Sequence, residues 1–280
     1  MNKPLLSIVI ANYNYGRFLE AAIKSVVEQD GFDNCELIIV DGGSIDNSVE
    51  IIKKYEDKIS WWVSEKDKGQ SDAFNKGFAH ANGKLGCWVN ADDLLLPGTI
   101  KSVIGYISTH KECEWISGGM VFLDSEEKVM WMRLGMQPWS RKWKWMPGWC
   151  IGGPSSFFSI ERLHRVGGFD VNRYYSMDID LWYKFFQSGM HLHHIRRYFW
   201  GFRAHEDSKT SYTLTATMNK SMLREKESIM QIYGLSARRI KIGSLFLKGS
   251  GFLSGSMIKS YIDSWRYKGK SVEDMLNKRV

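Results

Sequence analysis

Four apolar runs, LLSIVIAN, ELIIVDGGS, ISWWVSE and LGCWVN, alternate with segments of helical periodicity over the first ninety residues. A continuous apolar run is what a strand covered on both faces requires, because its alternate side chains enter two different cores. Between the runs, Leu19, Ala22, Ile23, Val26 and Val27 recur at helical spacing in RFLEAAIKSVVEQ, and DNSVEIIKKYED reads as a second helix. Ala73, Phe74, Gly77, Phe78 and Ala81 form the stripe of a third, with Gly83 expected at its C-terminal side. This alternation predicts an α/β fold, a Rossmann-like wound and mostly parallel sheet flanked by helices.

A chain of 280 residues with 44% hydrophobic content can bury such a core. Cys35, Cys87, Cys113 and Cys150 are far apart, without a C-x-x-C pair, and suggest neither a disulfide framework nor a zinc site. The expected setting is a reducing cytosol. No charged n-region and apolar h-region opens the chain, and no apolar stretch is long enough to span a bilayer.

Polar clusters stand where the four apolar runs end: Asn12 to Asn14, Asp41 to Ser44, Asp67 to Asp72 and Asn90 to Asp93. In open α/β sheets, ligands bind beyond the carboxyl ends of the strands, so these clusters are expected to converge on one site. Taken singly, each is ordinary turn and cap chemistry. Asp92 and Asp93 stand out, because adjacent like charges after a buried strand are costly unless a cation, a helix end or water satisfies them.

Beyond residue 110 the pattern is less regular. Trp131, Trp139, Trp143, Trp145 and Trp149 interleave with Arg141, Lys142 and Lys144, a composition suited to sugar stacking, a bilayer interface or packing on the sheet. HLHHIRRYFWGFRAH reads as a strand region and residues 216–232 as a helix. His191, His193 and His194 lack a zinc spacing.

In this order and spacing, SIVIANYN, IIVDGGSIDNS, SEKDKGQSDAFNKGFAHANG, WVNADD, FFSIERLHRVGGFD and MDIDLW resemble glycosyltransferase family 2, inverting enzymes of the GT-A fold that use nucleotide-sugar donors. The resemblance spans roughly residues 5–210. It implies a catalytic domain over 1–210, with nucleotide-sugar binding in about 1–110 and the acceptor side in about 111–210, followed by a basic helical extension over 211–280. It also implies roles. Asp41 accepts a hydrogen bond from the base, Tyr13 lines the base beside Ala11, and Asp67, Lys68 and Asp72 belong to the nucleotide-binding segment.

The family's D-x-D motif stands here as Asn90-Ala91-Asp92. Asn90 can bond a ribose hydroxyl but brings no charge, so Asp92 becomes the expected ligand of a divalent cation, Mn2+ or Mg2+. His205 corresponds to a histidine that ligates the metal or touches the diphosphate. Asp93 is expected to support Asp92 or cap the next helix. The acceptor hydroxyl needs a base, and that position maps onto Asp178. Asp180, two residues on, points to a nearly opposite helical face and is expected to support.

The implied function is inverting transfer from a nucleotide-sugar, read as a UDP-sugar, to a glycan or polyprenyl-diphosphate-linked acceptor in surface polysaccharide synthesis of the O-antigen kind. The rival reading is a catalytically silent nucleotide-sugar-binding protein. A dinucleotide-dependent oxidoreductase needs G-x-G-x-x-G after the first strand, where ANYNYGRF stands. A nucleotidylyltransferase needs a Gly-rich basic loop at the same place. A pI near 9.1 without a recognition motif does not indicate nucleic acid.

The net charge of +7 is unevenly spread. Residues 1–140 carry 14 bases and 20 acids, and residues 141–280 carry 24 and 11. In the tail, Leu245, Phe246, Leu247, Phe252, Leu253, Met257 and Ile258 lie among bases. Residues 236–280 are therefore expected to rest on an anionic membrane surface, making the protein cytoplasmic and peripheral on the inner face of the membrane. The alternative is that these helices pack their apolar side on the catalytic domain or on a second subunit.

Overall fold

A computed structural model describes residues 3–135, 151–209 and 220–277. The expected alternation is present as β1 (Leu6–Asn12), α1 (Gly16–Val27), β2 (Cys35–Asp41), α2 (Ser48–Lys54), β3 (Trp61–Ser64), α3 (Gln70–Ala79) and β4 (Leu85–Asn90). β5 (Leu94–Leu95), α4 (Thr99–Thr109), β6 (Trp115–Leu123) and β7 (Val129–Arg133) follow. Next come β8 (Ser156–Ser159), α5 (Ile160–Arg165), α6 (Met177–Gln187) and β9 (His193–Arg203). Four helices end the described chain: α7 (Lys220–Ile232), α8 (Ala237–Leu253), α9 (Ser256–Tyr267) and α10 (Val272–Asn277).

The strands form one sheet in the order β3-β2-β1-β4-β8-β6-β9-β5, with β7 paired to β6. β1 to β4 are mutually parallel. β8 runs antiparallel to both β4 and β6, so the sheet is mixed in its second half. The apolar runs serve two cores, as a strand period of two requires. On β1, Leu6, Ile8 and Ile10 enter one core while Val9 enters the other. On β4, Cys87 and Val89 enter the first and Trp88 the second. There the rings of Trp88 and Trp115 lie 5.6 and 5.1 Å from that of Trp182 on α6, which fixes α6 against the sheet.

Gly83 does not end α3, which stops at Ala79. Its missing side chain serves close approach instead: a Cβ there would meet Ser7 Oγ at 2.6 Å and the Leu6 carbonyl carbon at 2.8 Å. Trp131 stacks on Phe122 with ring centroids 3.5 Å apart. The other four tryptophans of that cluster, and Cys150, lie outside the described residues. So do residues 216–219 of the expected helix, which runs as α7 from Lys220.

The C-terminal helices are tied into the fold. Glu225 on α7 accepts the backbone N–H of Tyr174 on Oε1 and those of Tyr175 and Ser176 on Oε2, each at 3.0 Å. These donors lead into α6, whose first turn lacks a side-chain cap of its own. Arg173 donates to Ser228 at 3.1 Å, and the Tyr233 hydroxyl donates to Asp180 at 2.9 Å. Leu247, expected at the surface, is buried in the Trp182 core. α7 and α8 thus pack on the side of the sheet that carries α6.

Glu225→Ala removes the acceptor for three N–H groups and should lower stability by about 2 kcal/mol. The expected readout is a lower urea midpoint at unchanged slope. Glu225→Gln, with one acceptor oxygen in place of two, should fall between Ala and wild type.

Candidate active site

The parallel register brings the strand-end clusters together. Asn12 lies opposite Asp41, Asp41 opposite Ser64, and Ala11 opposite Asn90. β1 sits between β2 and β4, where the winding of the sheet reverses, so these residues line the crevice expected at a topological switch point.

Asp41 is fully buried. Its Oδ1 accepts from Asn12 Nδ2 at 2.7 Å and Ser44 Oγ at 2.5 Å, and its Oδ2 from Ser44 N at 2.9 Å and Ser64 Oγ at 2.6 Å. A carboxylate has about four lone-pair sites, and these bonds fill them. Tyr13, by contrast, is 60% exposed. A Cβ on Gly42 would meet Asp67 Oδ2 at 2.7 Å and Tyr13 Cδ2 at 3.3 Å, so the glycine lets tyrosine, carboxylate and backbone share one slot. Asp67 Oδ1 accepts from Gly69 N at 2.7 Å. Asp72 accepts from Lys68 N at 3.0 Å and pairs with Lys76 at 3.7 Å, which holds the turn into α3. The Lys68 side chain is exposed.

Ala91 is buried in the turn after β4. Asn90 accepts from Gln70 Nε2 at 2.8 Å and donates to Asp93 Oδ2 at 2.7 Å. Asp93 also accepts from Arg203 N at 3.1 Å, and burial followed by the adjacent Asp92 charge pushes its carboxyl well above the usual range. It does not cap the next helix, where Gly98 holds the N-cap position. The two neighbouring carboxylates are thereby separated: Asp93 is enclosed and Asp92 faces the crevice.

Asp92 Oδ2 lies 3.1 Å from His205 Nε2. On the far side of the ring, Arg17 Nη2 stands 3.4 Å from Nδ1, and Arg17 also bonds Asp207 at 2.5 Å. Because arginine only donates, Nδ1 accepts and Nε2 carries the proton toward Asp92. A divalent cation would replace that proton. Neighbouring ligands of an octahedral ion with bonds of ~2.1 Å stand about 3 Å apart, so the pair fits one. Among the described residues no group of three or more His, Cys, Asp or Glu side chains could hold a metal. The remaining ligands would come from water and phosphate, as Mg2+ commonly has them.

A cation that sequence reasoning missed completes the crevice. Lys209 Nζ donates to Gln70 Oε1 at 3.1 Å and stands 4.1 Å from the Tyr174 ring centroid. Burial lowers its pKa, against the opposing charges of Asp92, Glu225 and Asp67. The chain Asn90, Gln70, Lys209, Tyr174 leads from the Asp92 turn to the entry of α6. Ser71 at the start of α3 also contacts that entry, at Met177 Sδ and the Arg173 carbonyl, both 3.4 Å away.

Asp178 lies in the first turn of α6. It sits in a recess that keeps some contact with solvent, and burial pushes its carboxyl up to about 6. Its bonding is light: Oδ1 accepts from Ile179 N at 2.7 Å. Asp180 is differently placed, buried, ion-paired with Lys184 at 3.0 Å and bonded to Tyr233. It braces α6.

The sequence profile of the family described as "Glycosyl transferase family 2" matches residues 7–162. An uncharacterized glycosyltransferase of Nostoc sp. is 39% identical over 108 residues, covering 37% of this chain and 33% of the relative's length. Staphylococcus aureus TarS, solved with UDP-GlcNAc, superposes with a TM-score of 0.60 at 15% identity, over 81% of this chain and 65% of that one. The Pyrobaculum calidifontis mannosyltransferase PcManGT, solved with GDP-Man and Mn2+, gives a TM-score of 0.54 at 14% identity, over 91% of this chain and 77% of that one. These two solved structures share the α/β fold of this chain, the mixed sheet flanked by helices, and the profile match covers more than half of the sequence: the chain belongs to glycosyltransferase family 2.

Proposed function

We propose that the protein transfers a sugar, with inversion, from a nucleotide-sugar to a hydroxyl of a glycan or polyprenyl-diphosphate-linked acceptor. The observation that carries this reading is Asp178: a recessed carboxyl held near pH 6, at a helix entry that contacts the crevice. A base with that pKa is ionised at neutral pH yet still takes up a proton readily.

In this reading Tyr13 and Asp67 receive the base of a UDP-sugar, while Asp41 positions the strand ends beneath them. Ala11 and Ala91 shape the floor, and Asn90 faces the ribose. Asp92 and His205 hold Mn2+ or Mg2+, which supplies positive charge to the diphosphate. Lys209 adds a fixed cation to the same leaving group, with Lys68 at the outer edge. Asp178 takes the acceptor proton as the hydroxyl oxygen attacks the anomeric carbon from the face opposite the diphosphate. The donors bound by TarS and PcManGT support the donor class, and the Mn2+ of PcManGT supports the cation. The setting we assign is surface polysaccharide synthesis of the O-antigen kind, on the inner face of the membrane.

Turnover should rise with pH through about 6, because the base works only when ionised, and fall about tenfold per unit below it. Asp178→Asn should lower turnover about 100-fold or more, abolish that acid limb and leave donor affinity near wild type. A variant with near-normal turnover would move the base elsewhere. Wild-type turnover too low to measure, with donor bound normally, would favour the silent binding protein.

Donor affinity, measured calorimetrically, should be higher in manganese than in chelator, and Asp92→Ala should remove that difference while Asp93→Ala alters it less. Lys209→Met should weaken nucleoside diphosphate binding about tenfold and keep the manganese dependence. Equal affinities in chelator and manganese would remove the metal assignment.

A further inference from the structure

Helix α9 is amphipathic in the reverse sense. Its hydroxyls face the protein: Ser260 Oγ accepts from Leu134 N at 2.9 Å, and Ser264 Oγ accepts from Met132 N at 2.8 Å. Ser256, Ser260 and Ser264 recur every fourth residue and so share one face. Beside them Asp263, 6% exposed, accepts from the Tyr198 hydroxyl at 2.8 Å. This face closes the edge of β7, whose unpaired backbone groups would otherwise invite another strand.

Apart from Tyr267, which is buried with Val129 and Met132 of β7, the apolar side chains of α9 point outward. Met257, Ile258, Tyr261, Ile262 and Trp265 form a continuous exposed stripe, with Tyr261 77% and Trp265 80% accessible. On α8, Leu245, Phe246, Phe252 and Leu253 are likewise exposed, in two pairs seven residues apart and hence on one side. Contiguous apolar surface of this kind marks a site that something covers.

The charges around it identify the occupant. Arg238, Lys241, Lys248 and Arg266 are exposed on the same two helices. Neither helix carries an exposed acid, since α8 has none and Asp263 is buried against Lys259 at 2.9 Å. Twofold pairing of this surface would set cations against cations. An anionic bilayer supplies the opposite charge, and its headgroup boundary accommodates tryptophan and tyrosine. Among the described residues no helix is long and apolar enough to cross a membrane, so the contact lies in the interface plane.

We infer that the outward face of α9, joined by the exposed apolar residues of α8, docks on an anionic lipid surface. The inference deepens the reading of a lipid-linked acceptor and rests on it for its purpose. The surface of α9 is available because its serines and the buried Tyr267 hold it to β7, which leaves the other apolar residues facing out.

The test is co-sedimentation of the full chain with vesicles of phosphatidylcholine, alone or mixed with phosphatidylglycerol. Binding should be at least about tenfold stronger to the anionic vesicles at low salt and fall as salt rises. Phe252→Ser, Tyr261→Ser and Trp265→Ser combined should lower it about tenfold or more, and Lys248→Glu with Arg266→Glu should do the same. UDP affinity and melting temperature should stay near wild type in both variants. Binding that neither variant changes, or no preference for anionic lipid, overturns the inference. So does a concentration-dependent dimer that the serine variant dissolves, which would make the face a subunit contact. Vesicle binding requires neither donor nor acceptor, whereas sugar transfer to a soluble acceptor is read without vesicles, so the docking and the transfer reading fail separately.

Discussion

The geometry of the crevice depends on the buried carboxylate of Asp41. Three strands reach the same edge there, and each presents backbone and side-chain groups that need fixed partners away from water. Asp41 supplies four acceptor sites to Asn12, Ser44 and Ser64, and so joins the ends of β1, β2 and β3 at one point. A buried charge is tolerated when its lone pairs are filled in this way. Tyr13, Gly42 and Asp67 then converge at the mouth above it. The residue expected to contact a base thus has its acceptors taken up by the protein, and the open aromatic and carboxylate beside it are what the crevice presents.

A comparable division separates the acids of α6. Residues two apart on a helix point about 200° apart, so Asp178 and Asp180 meet different surroundings. Asp180 faces Lys184 and Tyr233 and is used up in bracing. Asp178 accepts a hydrogen bond from Ile179 N, and burial, the largest effect on it, raises its pKa. The helix can hold such a group because it is fixed from outside: Glu225 anchors its entry, and Trp182 anchors its inner face. Distant parts of the chain therefore carry the order that the Asp178 site needs.

At the Asp92 turn, enclosing Asp93 leaves one carboxylate to the crevice. Asn90, in place of an acid, bonds both Asp93 and Gln70 and so connects this turn to Lys209. An acid at that position would set a third carboxyl against Asp92 and the buried Asp93, whose own carboxyl is already pushed above the usual range. The amide keeps the turn connected without that repulsion, and Lys209, held by Gln70 and the Tyr174 ring, adds positive charge.

Strand and helix alternation, the two-core burial of β1 to β4 and the gathering of polar clusters at one edge were legible in the sequence, because side-chain periodicity records burial directly. Asp92, Asp93, Asp178 and Asp180 were legible as candidates. Their roles were not, since neighbours in sequence such as Asp92 and Asp93 differ only in what the fold sets around them. Glu225 and Lys209 carried no local signal. Each acts through partners far along the chain, and a lone acid or base in a polar segment has the pattern of a solvated residue. Leu247 read as surface and is core, while the apolar stripe of α9 would ordinarily be assigned inward. Periodicity reveals that a helix has two faces, but which face meets the protein is fixed by the neighbour, and at α9 that neighbour is a strand edge whose backbone groups needed hydroxyls.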